Sequence, residues 1–233
     1  MKKLLGTSLL LVSGAIFAFD HDGNKSSKRH GDYTHITSKT LSLAADDLSQ
    51  FIIAAGAGSL KVVGSERDDI VVLADVYSKS GDSEYCLSLE KESSNIAELA
   101  ANTCNMNFNT QMLIDLEVKV PHSLLTKIKD SSGSITIEGA SVKSIKDGSG
   151  SIRIEDNRVS LKIDDGSGSI SITDVEGDLD IEDGSGSINV KRVAGHVTID
   201  DGSGSISVTS ADKFTLIDDG SGSVNLTDVN QGS

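Results

Sequence analysis

From residue 130 onward the chain alternates apolar and polar residues in short bursts. I-x-I or its V/L variants recur at 135–137, 152–154, 170–172, 188–190, 206–208 and 224–226. A second set, L-K-I at 161–163, L-D-I at 179–181 and V-T-I at 197–199, falls between them. Period-two alternation predicts strands with one buried face, and the Gly and Asp residues between bursts predict turns. The bursts keep strict time. D-G-S-G-S-[IV] begins at Asp147, Asp165, Asp183, Asp201 and Asp219, eighteen residues apart, and a weaker DSSGSI begins at Asp130. Each eighteen also halves: DGSGSISIT and DVEGDLDIE share Gly at the fourth place and Ile or Leu at the sixth and eighth.

Two short strands and two corners per eighteen residues predict an all-β fold, a single-stranded parallel β-solenoid (β-helix) of stacked coils. Each strand pairs with its equivalent in the next coil, and Ile152, Ile170, Ile188, Ile206 and Val224 form one inward column. The inward set of one coil is Ile170, Ile172, Val175, Leu179 and Ile181. A lone coil buries too little to stand, so the coils fold together.

Residues 130–233 are the regular solenoid, and 41–129 are an irregular, strand-rich N-terminal cap. The cap reads FIIAAGAGSLKVVGS, DDIVVLADVY, CLSLEK and LIDLEVKVP, with GAGSLKVVG a worn copy of the repeat. Those first coils are interrupted by excursions through 80–110 that cover the hydrophobic end, and SSNIAELAAN is read as one short helix. The opposite end, near Val224 to Val229, shows no cap, which predicts fraying or end-to-end pairing there. Residues 19–40 read as a flexible tether. The opening MKKLLGTSLLLVSGAIFA has the charged start, short apolar stretch and small residues of a signal peptide, cleaved after Ala18. No other segment is apolar enough to insert stably in a membrane once the signal is removed.

The order GSLKVVG, DIVVLADVY, LEVKVP, then SGSITIEG and tandem SGSI coils resembles the bacterial "putative adhesin" family over residues 40–228. That resemblance implies a β-solenoid domain of unassigned function, an exported location (periplasmic, cell-surface or secreted) and a role in adhesion. It carries no catalytic residues.

Charge narrows the partners. The net charge of −14 becomes −16 when Lys2 and Lys3 leave with the signal. Such a surface repels nucleic acid and anionic lipid and favours cations or basic surfaces. With no Trp and 3% aromatics, the chain has few aromatic anchors for sugars or proteins. Cys86 and Cys104 stand in the exported part, where a disulfide is the default and a metal pair or two buried thiols are the alternatives. Their spacing of one coil puts them on stacked rungs about 4.8 Å apart, within disulfide reach.

The aspartates Asp147, Asp165, Asp183, Asp201 and Asp219 form a ladder with two readings. One is a column of hard oxygens for calcium, as in nonapeptide β-rolls. Those rolls place Asp at the sixth position, where this repeat has Ile or Val, so the second reading, an Asx turn capping each corner, is preferred. Stacked carboxylates still predict weak, loosely held divalent cations. The acids Asp164, Glu182, Asp200 and Asp218 precede the ladder and point the other way.

Ser134, Ser151, Ser169, Ser187, Ser205 and Ser223 form an outer hydroxyl column, beside Thr136, Arg153, Ser171, Asn189, Ser207 and Asn225. They either contact ice or a glycan or simply knit the sheet. No glycine loop opens a helix for phosphate, and no Ser sits in a nucleophile motif. Arg153, Arg158, Lys191 and Arg192 are scattered single positions. A mature start of Phe19-Asp20-His21 has the pattern of a copper or nickel chelate, read here as incidental.

The reading is a non-enzymatic exported envelope or surface protein, a scaffold or adhesin-like binder of a glycan or protein, with no cofactor and no assigned metal. A calcium-responsive β-roll module is the alternative, and a polysaccharide-active β-helix enzyme the third.

Overall fold

In the computed structural model, described for residues 29–79, 85–102 and 112–231, every regular element is a β-strand. Among the described residues no helix is long and apolar enough to cross a membrane. The expected signal at residues 1–18, His21 and Cys104 lie outside the described residues. The strands before the repeat are β1 (Arg29–His30), β2 (Tyr33–Ala44), β3 (Gln50–Ala55), β4 (Leu60–Ser65), β5 (Asp69–Ser78), β6 (Cys86–Lys91), β7 (Ile96–Asn102) and β8 (Met112–Pro121). The repeat supplies β9 (Leu125–Asp130), β10 (Gly133–Glu138), β11 (Val142–Asp147), β12 (Gly150–Asn157), β13 (Leu161–Asp165) and β14 (Gly168–Val175). It continues through β15 (Leu179–Asp183), β16 (Gly186–Asp201), β17 (Gly204–Asp218) and β18 (Gly222–Gln231).

The repeat is a parallel β-solenoid with two columns of strands. The first column stacks β10, β12, β14, the front half of β16, the front half of β17, and β18. Its register carries Ile135 onto Ile152, Ile170, Ile188, Ile206 and Val224. The second column stacks β9, β11, β13, β15 and the back halves of β16 and β17, carrying Ile128 onto Ile145, Ile163, Ile181, Ile199 and Leu216. The two apolar columns face each other as one core. Ile152, Ile170, Ile188 and Ile206 are each 1% exposed, whereas Val224 on the last coil is half-buried.

The cap is interleaved with the stack. Coil β3–β4 has parallel neighbours on both sides: β3 lies between β7 and β9, and β4 between β8 and β10. GAGSLKVVG is therefore a true coil, with Leu60 in register with Ile135, but it sits inside the stack. The excursion that follows it returns as coil β7–β8 on its far side. Beyond β8 the pairing turns antiparallel, through β5 and then β2, and beyond β7 through β6.

Three expectations change. Residues 33–44 belong to β2, paired along its length with β5, where the sequence reads as tether to residue 40. Most of its side chains are half-buried and none is fully buried, with Thr34, Ser38 and Ala44 exposed, so this Thr- and Ser-rich strand lacks the clear buried-face alternation of the coils. SSNIAELAAN contains β7, not a helix. Ala97, Leu99 and Ala101 point inward by period two, and alanine at two of those places mimics a helix former. Cys86 lies on β6, paired antiparallel with β7 and opposite Asn102, so it does not stand on a rung of the parallel stack as the spacing of one coil predicts.

Candidate functional site

The corner between the two columns is built from D-G-S-G. In β13 the inward positions alternate Leu161, Ile163, Asp165, so period two carries the acid inside along with the aliphatics. Asp164 and its equivalents face outward, as their place in the alternation predicts. The chain then turns: Ser167 N–H donates to Asp165 Oδ1 at 3.3 Å, and the same Asx contact recurs from Ser149 to Asp147, Ser185 to Asp183 and Ser203 to Asp201. Corner amides also tie coil to coil, with Gly184 N–H donating to Asp165 O and Gly168 N–H to Ser185 O, both at 2.9 Å. The second glycine is obligatory. Gly168 has φ +143°, and a Cβ there would lie 1.5 Å from the carbonyl oxygen of Gly150.

The result is a file of buried carboxyls. Asp130, Asp147, Asp165, Asp183 and Asp201 are 9%, 4%, 3%, 5% and 1% exposed, and the Oδ2 atom of each is enclosed without a hydrogen-bond partner. Register places Asp130, Asp147, Asp165, Asp183 and Asp201 on successive rungs. Burial disfavours the charged form, and a neighbouring carboxylate in the file adds to it, so Asp130 is pushed up to about 7 and Asp147 and Asp183 to about 6. Asp165 and Asp201 move the same way, again chiefly through burial, opposed by the corner amides. Neighbouring acids of this kind titrate as a set.

Asp219 leaves the file. A bulge at Ile217 shifts the last corner, and Asp218 takes over the capping, accepting from Gly220 N–H at 3.1 Å. Asp130, from the weaker repeat copy, takes a place instead. The Asx turn and the buried acid are thus one side chain: Oδ1 caps the corner while Oδ2 faces inward. The file suits protons better than calcium. Calcium takes six to eight oxygens, and the carbonyls of Asp147, Asp165 and Asp183 already accept from amides of the next coil. Among the described residues no group of three or more metal-binding side chains forms.

The opposite corner has a feature that the alternation does not reveal. Asp156, Asp174, Arg192, Ser210 and Asp228 all adopt left-handed φ values of 50–59°. Three aspartates in five are the available signal, because Asp tolerates this region better than most residues. Arg192 reaches down one coil to grip Asp174 with two bonds, Nε to Oδ1 at 2.6 Å and Nη2 to Oδ2 at 2.8 Å, and that hydrogen bonding holds the Asp174 carboxyl below its usual range.

The outer face of the first column displays the serine ladder in register, Ser134 through Ser223, flanked by Thr136, Arg153, Ser171, Asn189, Ser207 and Asn225. Arg153 pairs with Glu155 on this face, and Arg158 pairs with Asp156 at the far corner, so the basic residues do not converge.

No curated protein matches the chain. Among solved structures it is similar to a "putative cell adhesion protein" of Clostridium sporogenes at 12% identity, covering 84% of this chain and 99% of that one, with a TM-score of 0.39. A "putative lipid binding protein" of Parabacteroides distasonis shares 14% identity over 83% and 95% of the two chains, with a TM-score of 0.33. A "putative adhesin" of the same organism shares 10% over 81% and 97%, with a TM-score of 0.27. A family model spans nearly all of the described residues, matching 26–231, and the chain belongs to the Toastrack DUF4097 family.

Proposed function

We propose that this protein is a non-enzymatic binding scaffold of the cell envelope, exported behind the signal at residues 1–18 and acting through repeated weak contacts along its outer faces. One observation carries the reading: the serine-bearing face over β14, β16, β17 and β18 is a regular polar lattice. Ser169, Ser187, Ser205 and Ser223 stand in register, with Ser171, Asn189, Ser207 and Asn225 in the next column. Rungs lie about 4.8 Å apart and columns about 7 Å apart, which suits a partner that itself repeats hydroxyl or amide groups, such as a glycan or an envelope protein.

The test is binding of the mature protein to glycan, cell-wall and envelope-protein arrays. Replacing Ser171 and Ser207 by Lys should remove binding without changing the fold. Binding that is indifferent to those changes would move the contact elsewhere. The alternative, a calcium-responsive module, requires a melting temperature that rises steeply at micromolar calcium and is unmatched by monovalent salt. The buried file instead supports a modest rise at millimolar divalent ion that salt largely reproduces.

A further inference from the structure

The outer face of the second column is electrically divided. Register places Lys129, Lys146, Asp164, Glu182, Asp200 and Asp218 in one line from β9 to the back half of β17. A parallel line reads Lys127, Ser144, Lys162, Asp180, Thr198 and Thr215. The middle neutralises itself: Lys146 pairs with Asp164 at 2.5 Å, and Lys162 with Asp180 at 3.2 Å and Glu182 at 2.5 Å. The ends do not. Among the described residues Lys127 and Lys129 on β9, where the repeat meets β3, and Asp200 near the other end have no ion-pair partner, and Asp218 spends one oxygen on backbone amides. Within these six rungs, unmatched positive charge thus stands at the β9 side and unmatched negative charge at the β17 side, separated by about four to five rungs of about 4.8 Å.

We propose that this face takes a second copy of the same chain, packed face to face and antiparallel about a two-fold axis. The axis runs along the strands, midway between β13 and β15. Such an axis reverses the order of rungs and keeps position along the strand. It therefore sets Lys129 against the partner's Asp218, Lys146 against the partner's Asp200, and Lys162 against the partner's Asp180, and each contact occurs twice. One apposition is unfavourable, Asp164 with the partner's Glu182, and both acids already hold a lysine of their own copy. The parallel alternative sets the lysine rungs β9 and β11 on lysine rungs and the acidic rungs on acidic rungs, with opposite charges meeting only on β13, so the charge pattern favours the antiparallel orientation.

Facing sheets lie about 10 Å apart, a gap that Lys and carboxylate side chains span together. Six strands at about 4.8 Å by five residues at about 3.3 Å give roughly 500 Å² on each copy. The total of about 1,000 Å² sits at the lower limit for a specific interface, so the association is weak and reversible. The rest of the molecule is acidic, and at about 0.15 M salt charges farther apart than about 8 Å are screened while contacts across the face persist.

Sedimentation equilibrium of the mature chain at 0.15 M salt, from micromolar to millimolar protein, tests this. Wild type should pass from monomer to dimer. Lys129→Glu with Lys146→Glu should weaken self-association at least about tenfold, because four attractive contacts become repulsive. Asp200→Lys with Asp218→Lys should do the same. Mixing the two variants should restore a heterodimer, since every altered pair is then again opposite in sign. All four positions are outward-facing, and circular dichroism checks that each variant folds. A wild type that stays monomeric to millimolar concentration, variants that associate like wild type, or a mixture that stays monomeric would each overturn the proposal. So would a wild type that stays monomeric while binding basic or acidic peptides, which would assign the face to another protein.

Discussion

Replacing Asp183 by Asn should stabilise the protein at neutral pH, against the usual outcome for a buried hydrogen-bonded residue. Asp183 is 5% exposed, and its Oδ1 accepts from Ser185 N–H at 3.2 Å while Oδ2 has no partner. Burial and the neighbouring Asp165 and Asp201 hold its carboxyl at about 6, against 3.8 for an unperturbed group. That displacement corresponds to about 3 kcal/mol between the two protonation states. The folded pKa is the higher one, so the folded state retains its proton where the unfolded chain has lost it. The stability this represents is fully present below about pH 3.8 and is lost as pH rises to about 6. Asn is neutral throughout, keeps the oxygen that caps the corner, and offers N–H donors to the flanking Oδ2 atoms. Asp183→Asn should therefore gain about 1–3 kcal/mol at pH 7.5, or roughly 4–8 °C in melting temperature for a gain near 2 kcal/mol. At pH 4 the gain should shrink below about 1 kcal/mol. Urea unfolding followed by circular dichroism at both pH values measures it. A variant less stable than wild type at pH 7.5, or one with equal gains at the two pH values, would refute the charged-file argument.

Ile188→Asp should cost at least about 3 kcal/mol, by placing an unpaired acid between Ile170 and Ile206. Hydrogen exchange should then show protection lost over several coils, and a loss confined to one eighteen-residue segment would contradict cooperative stacking. Gly168→Ala should be among the most damaging single changes, above about 3 kcal/mol, because of the Gly150 carbonyl and the left-handed φ. Gly31→Ala, with nothing within 4 Å, should cost about 1 kcal/mol through its φ of +61° alone. Denaturant midpoints compare the two. The Cys86–Cys104 bridge we propose closes a short loop and contributes about 3 kcal/mol; thiol counting on unreduced protein should find no reactive thiol after denaturation, and two would exclude it.

The regular coils are legible because one rule governs them. Period two and an eighteen-residue repeat together specify which residues of 130–231 face inward, down to Ile170, Ile172, Val175, Leu179 and Ile181, all buried. The same rule reaches Asp165, since it stands two residues after Ile163, yet burying an acid runs against composition, and turn chemistry alone gives Asp a sufficient reason to be there. Asp219 shows the limit. Its repeat is intact, but β17 bulges at Ile217 in its pairing with β16, and no local motif marks it. The cap is less legible because its neighbours are set by distant chain. Nothing near GAGSLKVVG states that β4 will lie between β8 and β10. The Lys-to-Asp order across the second column is written plainly in the sequence, but it acquires meaning only when register turns residues eighteen apart into neighbours.

The in-register corners make this molecule a ruler with discrete divisions. Removing residues 168–185 would join Ser167 to Gly186 and regenerate D-G-S-G-S-I at the seam. The core, the inter-coil amide contacts and the glycine packing would close over the gap, and the shaft would be about 4.8 Å shorter. Any eighteen-residue excision or duplication made at equivalent points within the regular coils has the same property. Length can thus change by whole divisions through unequal recombination, with no new folding problem at any step. The interleaved block at the other end cannot be edited so, because coil β3–β4 is clamped between strands that the chain visits much later. That block is the fixed hilt, and the repeat is the adjustable blade.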